Sequence, residues 1–404
     1  MAITAVSLSA ETAFPRPKIR LEFLDGMRAL AALFVLFNHS FVTIWNNQGN
    51  LVPPKDIQRL LGWLWNGHYA VDVFIVLSGF CLMLPVLRSG DELRGGAWTF
   101  YKKRARRILP PYYILYGISV LLGLTLLRHK AGGAWDSCIP VTASGVATHL
   151  FLLHDLFGKY SGELGYQLWT IPVEWHIYFL FPALVLGWRR FGAFRATTIA
   201  VVAAYIANKF LSHTPWSGIT IHYVALFAMG ALGAGISTSD KEELVRWRDR
   251  LPWTISAVIM AGGIASIWHI FPKRALEETD YMDFLVGVTA ICALIAAAVQ
   301  QKGWIHSLLS WKPLTFVGTF SYSLYLVHVL VLALLWQYVL PLCHLSPTAS
   351  FFLLVFLGAP FIVGLAYLFH LAFERPFMTS SAKAALHFAG GDNTQPRTPI
   401  VIKK

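Results

Sequence analysis

The chain has 404 residues, 56% of them hydrophobic and 13% charged, with 33 Lys and Arg against 21 Asp and Glu. A soluble domain carries about 25% charged residues, so this composition excludes an ordinary soluble fold and points to a polytopic membrane protein. The net charge of +12 does not point to nucleic acid, because the basic residues sit in short loops between apolar runs.

In chain order, ten segments read as membrane spans: Leu24–Trp45, Tyr69–Leu87, Ile108–Leu127, Leu168–Gly187, Ala196–Leu211, Ile219–Ser237, Pro252–Phe271, Met282–Gln300, Leu314–Leu340 and Thr348–Phe373. The fifth is the weakest, short and interrupted by Asn208. The fold class expected is therefore all-α, a polytopic membrane helical bundle of about ten transmembrane helices. Three regions follow: an N-terminal tail (1–19), a membrane domain (20–378) and a disordered polar tail (379–404). Met1 to Lys18 holds no continuous apolar run, so the first helix is expected to act as an uncleaved start-transfer segment. With the N-terminus in the cytoplasm, the inner segments carry 24 Lys and Arg and the outer loops eight, with Arg28 at the inner end of the first span. That bias supports cytoplasmic termini in a plasma or inner membrane. One outer loop is long, Arg128 to Gln167, and within it Val146–Phe157 reads as an interfacial or re-entrant helix. The four Cys show no CxxC spacing and no metal-ligand grouping, and a bridge between Cys138 and Cys343 stays open.

The first span, LDGMRALAALFVLFNHSFVTIW, holds the most informative polar residues: Asp25, Arg28, Asn38 and His39. Arg28 and His39 are eleven residues apart, so on a helix they share a face ~16 Å apart along the axis. Ionisable residues inside a span mark function by default, although Arg28 snorkelling and His39 bonding a neighbouring helix would also account for them. Arg104 and Arg107 form an R-x-x-R pair before the third span, suited to clamping phosphate oxygens or to anionic lipid contact. Asp72 enters at the outer end of the second span, with Ser78 and Gly79 mid-helix as packing residues. Glu174 lies in the fourth span at a depth similar to His39, which makes the two a candidate orienter and general base or a structural pair. Ser321, Tyr325 and His328 fall at i, i+4 and i+7, a polar stripe that lines a cavity or bonds its neighbours.

With these residues in place, the chain resembles the acyltransferase-3 family of integral membrane acyltransferases, whose members include O-antigen, exopolysaccharide, nodulation-factor and macrolide O-acyltransferases. LDGMRALAALFVLFNHS is similar to the family's opening motif, VDVFIVLSGF to its second-helix motif, and Arg104 and Arg107 to its R-x-x-R. Trp169 to Pro182 resembles its helix with a buried Glu, and FSYSLYLVH and FERP (Phe373–Pro376) its last motifs. The resemblance covers about residues 20 to 378. Met27 stands where the pattern has Leu, a nearly volume-neutral change. The resemblance implies ten helices, cytoplasmic termini, an acyl-CoA donor and an acceptor often beyond the membrane, here in a form without an appended hydrolase-like domain.

The expected function is transfer of an acyl group, acetyl first, from cytoplasmic acetyl-CoA to a hydroxyl of a glycan or other carbohydrate-type acceptor, with no metal and no nucleic acid. His39 is the expected base and Glu174 its orienter. Arg28, Arg104 and Arg107 are expected to hold the donor's phosphates. Asp25, Asp72, Ser321, Tyr325 and His328 are expected to line the cavity, and Trp135, Tyr160 and Tyr166 are candidates for stacking on a sugar. The main alternative is a secondary transporter or flippase for a polar or lipid-linked substrate, although internal repeats and paired broken helices are lacking. A lipid-binding scaffold, in which every constellation is packing, is the second alternative.

Overall fold

The computed structural model describes residues 21–45, 51–211, 214, 219–271 and 279–378. Both tails expected from the sequence, and Lys273 and Arg274 of the outer-loop charge count, lie outside the described residues. The described chain is helical throughout its regular structure. Its elements are α1 (Glu22–Ile44), α2 (Lys55–Leu61), α3 (His68–Leu87), α4 (Gly96–Leu124), α5 (Ala143–Leu150), α6 (Thr170–Phe191), α7 (Ala193–Leu211), α8 (Tyr223–Thr238), α9 (Glu242–Arg250) and α10 (Trp253–Ile270). After them come α11 (Thr279–Val299), α12 (Trp304–Leu309), α13 (Lys312–Gly318), α14 (Ser321–Cys343) and α15 (Pro347–Phe377). Each of the ten expected spans is largely helical. Among the described residues eight helices are long and apolar enough to cross a membrane, α8 is a shorter apolar helix, and α7 is the helix at the fifth and weakest of the expected spans.

Residues that face outward are themselves apolar, as acyl chains require. Ile199, Val202 and Ile206 on α7 and Ile255, Val258 and Ile259 on α10 are all exposed at helical spacing. Prolines inside α3, α4 and α6 do not break them, a tolerance common where neighbouring helices re-satisfy the backbone. Gly192, at φ +85°, ends α6 and lets α7 start one residue later.

The tightest helix pair is α3 with α8. A Cβ on Gly79 would come within 2.0 Å of the Phe227 carbonyl oxygen, and one on Gly230 within 2.0 Å of the Val76 carbonyl oxygen. Only glycine permits that approach, the small-residue contact that membrane helices use in place of a hydrophobic driving force. The ninth span departs from expectation. It splits into α13 and α14, because Gly318 lies against the backbone of α1, where a Cβ would sit 1.9 Å from the Asp25 carbonyl oxygen. The chain therefore turns at Thr319 and Phe320 before α14 begins.

The long loop from Arg128 to Gln167 also differs from its expected form. Its helix is α5, which stops at Leu150 instead of running to Phe157; Leu152 takes a left-handed φ of +56°. Three tyrosines of α4 fasten α5 in place. The Tyr112, Tyr113 and Tyr116 hydroxyls donate to the carbonyls of His149, Leu150 and Val146 at 2.9, 2.8 and 2.9 Å. Glu163 accepts from the Thr142 backbone and hydroxyl at 3.0 Å, at the residue that caps α5. A π-turn in α14 (Leu335–Val339) turns Trp336, Gln337 and Tyr338 toward the same loop, where they donate to the carbonyls of Ala131 and Leu126. Cys138 and Cys343 are both free thiols; Cys138 is buried under the loop, which pushes its thiol up to about 12, and Cys343 is exposed.

Candidate active site

A cavity of about 210 Å³ opens between α1, α3, α4, α6 and α14. Arg28 lines it from α1, Phe74, Ser78 and Cys81 from α3, Arg104 and Arg107 from α4, Thr170, Glu174 and Tyr178 from α6, and Ser321, Tyr322 and Tyr325 from α14. The expected R-x-x-R pair falls well inside α4, which starts at Gly96, so both guanidinium groups come from one helix face and meet the same space.

Arg28 is held before any ligand arrives. It donates to Asp25 at 2.8 Å and to the Cys81 sulfur at 2.9 Å. Asp25 thus acts through Arg28 and is not itself a lining residue of the cavity. Arg104 is different: its Nε is buried without a hydrogen-bond partner among the described residues, and its guanidinium lies over the Phe100 ring at 5.9 Å. A buried, unsatisfied guanidinium nitrogen is costly and is a natural place for an anionic oxygen.

Glu174 is not the partner of His39. Its carboxylate accepts from the Ser78 hydroxyl at 2.8 Å and from the Tyr178 hydroxyl in a short hydrogen bond, with Ser78 and Tyr178 3.0 Å apart. It faces the cavity that holds Arg28 and Arg104. Equal depth in two helices does not fix azimuth, and Glu174 turns toward α3. Ser78 therefore carries more than packing, while its neighbour Gly79 makes the α8 contact.

His39 pairs instead with His328. Nδ1 of His39 lies 2.7 Å from Nε2 of His328, with the two rings stacked at 4.9 Å. Nδ1 of His328 lies 3.0 Å from the Leu324 carbonyl, which can only accept. The protons follow from that carbonyl. A neutral His328 carries its proton on Nδ1, so its Nε2 must accept from the Nδ1–H of His39, and Nε2 of His39 is left bare. A neutral imidazole with a bare Nε2 is what a general base requires. His328 is buried and His39 half-buried. Tyr325 joins this pair to the cavity. Its ring is 5.7 Å from His328 and 6.0 Å from Phe74, and its hydroxyl donates to the Gln167 carbonyl at 2.8 Å while accepting from Thr170 at 2.8 Å.

The remaining expected residues sort by position. Ser321 lines the cavity, its hydroxyl bonded back to the Gly318 carbonyl at 3.1 Å. Asp72 does not line it; it is fully buried beside Asp283 of α11, because its helix face is turned away from α6 and α14. Tyr166 sets its ring edge-on to His39 at 4.8 Å. Trp135 is buried and donates to the Leu127 carbonyl at 3.1 Å, so it offers no open face for stacking, whereas Tyr160 sits near the loop surface beneath Lys159. Sequence reasoning gave no role to Cys81, whose partner Arg28 lies on another helix, or to Tyr178, which bonds Glu174 one turn back and Ser78 across to α3. It also left Glu374 of FERP without a partner: Glu374 is buried and accepts from Ser323 at 2.6 Å and from His370 at 2.8 Å, pinning the end of α15 to α14.

Fold and site together define an integral membrane helical bundle with a basic cavity that reaches Tyr325, whose ring lies 5.7 Å from His328 of the histidine pair. The chain belongs to the acyltransferase-3 family: residues 21–371 match the family described as an acyltransferase domain. It is 23% identical over 338 residues to the Bacillus subtilis protein YrhL, covering 77% of this chain and 48% of the relative. It is 23% identical over 329 residues to the peptidoglycan O-acetyltransferase OatA of Listeria monocytogenes, covering 77% and 49%. It is 22% identical over 346 residues to the O-acetyltransferase OatA of Staphylococcus aureus, covering 76% and 49%. The chain thus spans about half the length of these relatives. No solved structure matches it. Membership in an acyltransferase family favours the enzyme over the transporter and scaffold alternatives.

Proposed function

We propose that the protein is a membrane O-acetyltransferase that moves an acetyl group from cytoplasmic acetyl-CoA to a hydroxyl of a glycan outside the membrane. The observation that carries this reading is the His39–His328 pair, whose hydrogen bonds leave Nε2 of a neutral His39 bare, with the Tyr325 ring between His328 and a cavity lined by three arginines. The relatives named as O-acetyltransferases support the reaction class, and one of them is named for peptidoglycan, a glycan acceptor.

In this reading the donor's phosphates lie against Arg104 and Arg107, with Arg28 deeper along the same cavity. The thioester reaches past Tyr325 toward the histidine pair. Nε2 of His39 takes the proton from the acceptor hydroxyl as its oxygen attacks the thioester carbonyl. The carbon–sulfur bond breaks, the thiolate leaves, and the imidazolium returns its proton to the sulfur, giving an acetyl ester and free CoA. His328 Nε2 holds the imidazolium through the Nδ1–H bond. Glu174 balances the charge of the arginines, with Ser78 and Tyr178 fixing its carboxylate.

The orientation rests on the loop charges, with both termini cytoplasmic. Donor and acceptor then meet at His39 from opposite sides. Sealed proteoliposomes of known orientation test this. Acetyl-CoA is supplied on the side of the termini, and an impermeant glycan acceptor on one side at a time. Acetylation is expected only with the acceptor opposite the donor; acetylation only with both on one side would overturn the two-sided reading, and no CoA release with any glycan acceptor would overturn the reaction.

A further inference from the structure

A second polar cluster lies away from the cavity, where the starts of α3, α8 and α11 meet the ends of α7 and α10. Trp268 of α10 donates to Tyr69 of α3 at 2.9 Å, and Tyr205 of α7 donates to the Asp280 carbonyl of α11 at 3.1 Å, so four of these helix ends are tied in two pairs. Inside the junction sit His68, Asp72, His222, Asp280 and Asp283. His222 Nε2 is 3.1 Å from Asp283 Oδ2, and its Nδ1 is 3.8 Å from Asp280 Oδ1. His68 Nε2 is 3.3 Å from Asp283 Oδ1 but lacks the alignment of a hydrogen bond.

Asp72 is the observation that asks for a ligand. Its side chain is 0% exposed, and neither carboxylate oxygen has a hydrogen-bond donor among the described residues. Its close polar neighbour is another carboxylate, Asp283, itself only 4% exposed in its side chain. Two buried carboxylates do not stay together without a proton or a cation between them. The His222 imidazole argues for the cation, because it brings a nitrogen ligand to the same place as two carboxylates. Donor atoms of His222, Asp280 and Asp283 all lie within 4.8 Å of one another. Two ligands at ~2.0–2.1 Å from a tetrahedral ion are ~3.3 Å apart, close to the 3.1 Å between His222 Nε2 and Asp283 Oδ2. His222 also has the outer partner that fixes a ligating ring: Asn208 Oδ1 is 3.3 Å from Nδ1, which leaves Nε2 toward Asp283.

We infer that His222, Asp280 and Asp283, with Asp72 and His68 as supporting ligands, form a site for one divalent cation that accepts imidazole and carboxylate together, Zn²⁺ or Mn²⁺. The ion ties α8 and α11 to the start of α3, the helix that carries Phe74 and Ser78 into the cavity. A mixed set of nitrogen and oxygen ligands suits these ions, whereas Mg²⁺ and Ca²⁺ favour all-oxygen sites.

The test uses the full chain, purified in detergent through a tag without histidine. Metal content is read by elemental analysis, and the chelated protein is then titrated with Zn²⁺ and Mn²⁺ while its melting temperature is followed. The expected result is about one equivalent of one of these ions per chain and a rise in melting temperature on its return. Asp283→Asn and Asp280→Asn are each expected to weaken binding at least ~10-fold. Asp280, whose side chain is 43% exposed, decides the matter if the buried variant fails to fold. Absence of stoichiometric metal with no thermal response to either ion would overturn the inference, leaving a cluster held by shared protons. Wild-type affinity in the Asp280→Asn variant would also overturn it, as binding elsewhere on the chain.

Discussion

The histidine pair gives the most discriminating prediction. His39→Ala removes the base, which is expected to slow turnover by ~10²- to 10⁴-fold, or ~2.7–5.5 kcal/mol of barrier. His328→Ala leaves the base but removes the acceptor 2.7 Å from its Nδ1. That bond becomes charge-assisted once His39 is protonated, and such bonds contribute about 1.5–3 kcal/mol. The expected loss is therefore ~10- to 150-fold in kcat, with donor KM little changed. His328→Gln keeps an acceptor oxygen and is expected to recover part of it. Because His328 acts through His39, the double variant should be no slower than His39→Ala alone, a coupling equal to the whole single effect of His328→Ala. Glu174→Gln should behave otherwise. Its carboxylate binds Ser78 and Tyr178 and not His39, so its loss should raise donor KM and multiply with that of His39→Ala. The assay is release of CoA thiol in reconstituted liposomes, with the melting temperature of each variant checked first. If the His39 and His328 losses multiply, or those of His39 and Glu174 do not, the proton order argued above is wrong.

Replacing Arg104 or Arg107 by Lys keeps the charge but loses the planar fork, and acyl-CoA binding measured by calorimetry is expected to weaken ~10-fold with the topology unchanged. Gly79→Ala would place a Cβ 2.0 Å from the Phe227 carbonyl oxygen and is expected to destabilise by ~1–3 kcal/mol or more in thermal unfolding, whereas Gly262→Ala meets open space and should be neutral or slightly stabilising. In the outer loop, His149 and His154 stack at 3.6 Å, and burial pushes them down to about 4 and about 3. They stay neutral where an opened loop would take up protons, so the loop should lose stability as pH falls from about 6.5 toward 4, by up to ~1.4 kcal/mol per pH unit for each histidine. Hydrogen exchange of residues 143–168 should rise over that window; a pH-independent exchange free energy would refute the assignment.

The spans were legible because a continuous apolar run of ~20 residues has few alternatives. Arg28 and His39 stood out because an ionisable group inside such a run is costly. What could not be read was the angle at which each helix faces its neighbours. Glu174 and His39 share a depth but not a partner, and the pairing of His39 with His328 spans 289 positions. The second cluster was hidden for the same reason: His68, His222 and Asp283 lie in or beside the first turns of three different helices, where a lone polar residue is ordinary. Helix α2 was missed because KDIQRLL has neither the length nor the hydropathy of a span. The split of the ninth span was hidden in Gly318, whose small size matters only because the α1 backbone lies against it.

The contacts that lead from the cavity to the histidine pair form a ladder whose order separates binding from chemistry. On α1 the numbering rises from Arg28 to His39, on α14 from Ser321 to His328, and on the antiparallel α3 it falls from Cys81 to Phe74. Arg28 touches Cys81, Phe74 touches Tyr325, Tyr325 touches His328, and His328 touches His39. Ser78, between Cys81 and Phe74, carries Glu174 on the middle rung. Seven residues on α3, from Cys81 to Phe74, rise ~10 Å and three on α14, from Tyr325 to His328, ~4.5 Å, which together come close to the ~16 Å of the eleven residues on α1. A substrate that extends along this path meets guanidinium groups first and imidazole last. Variants on the lower rungs, Arg104, Arg107 and Arg28, should therefore act on donor KM, and those on the top rung on kcat. The middle rung should be sensitive in both, because Glu174 sits where the charged end of the cavity gives way to Tyr325 and the histidines.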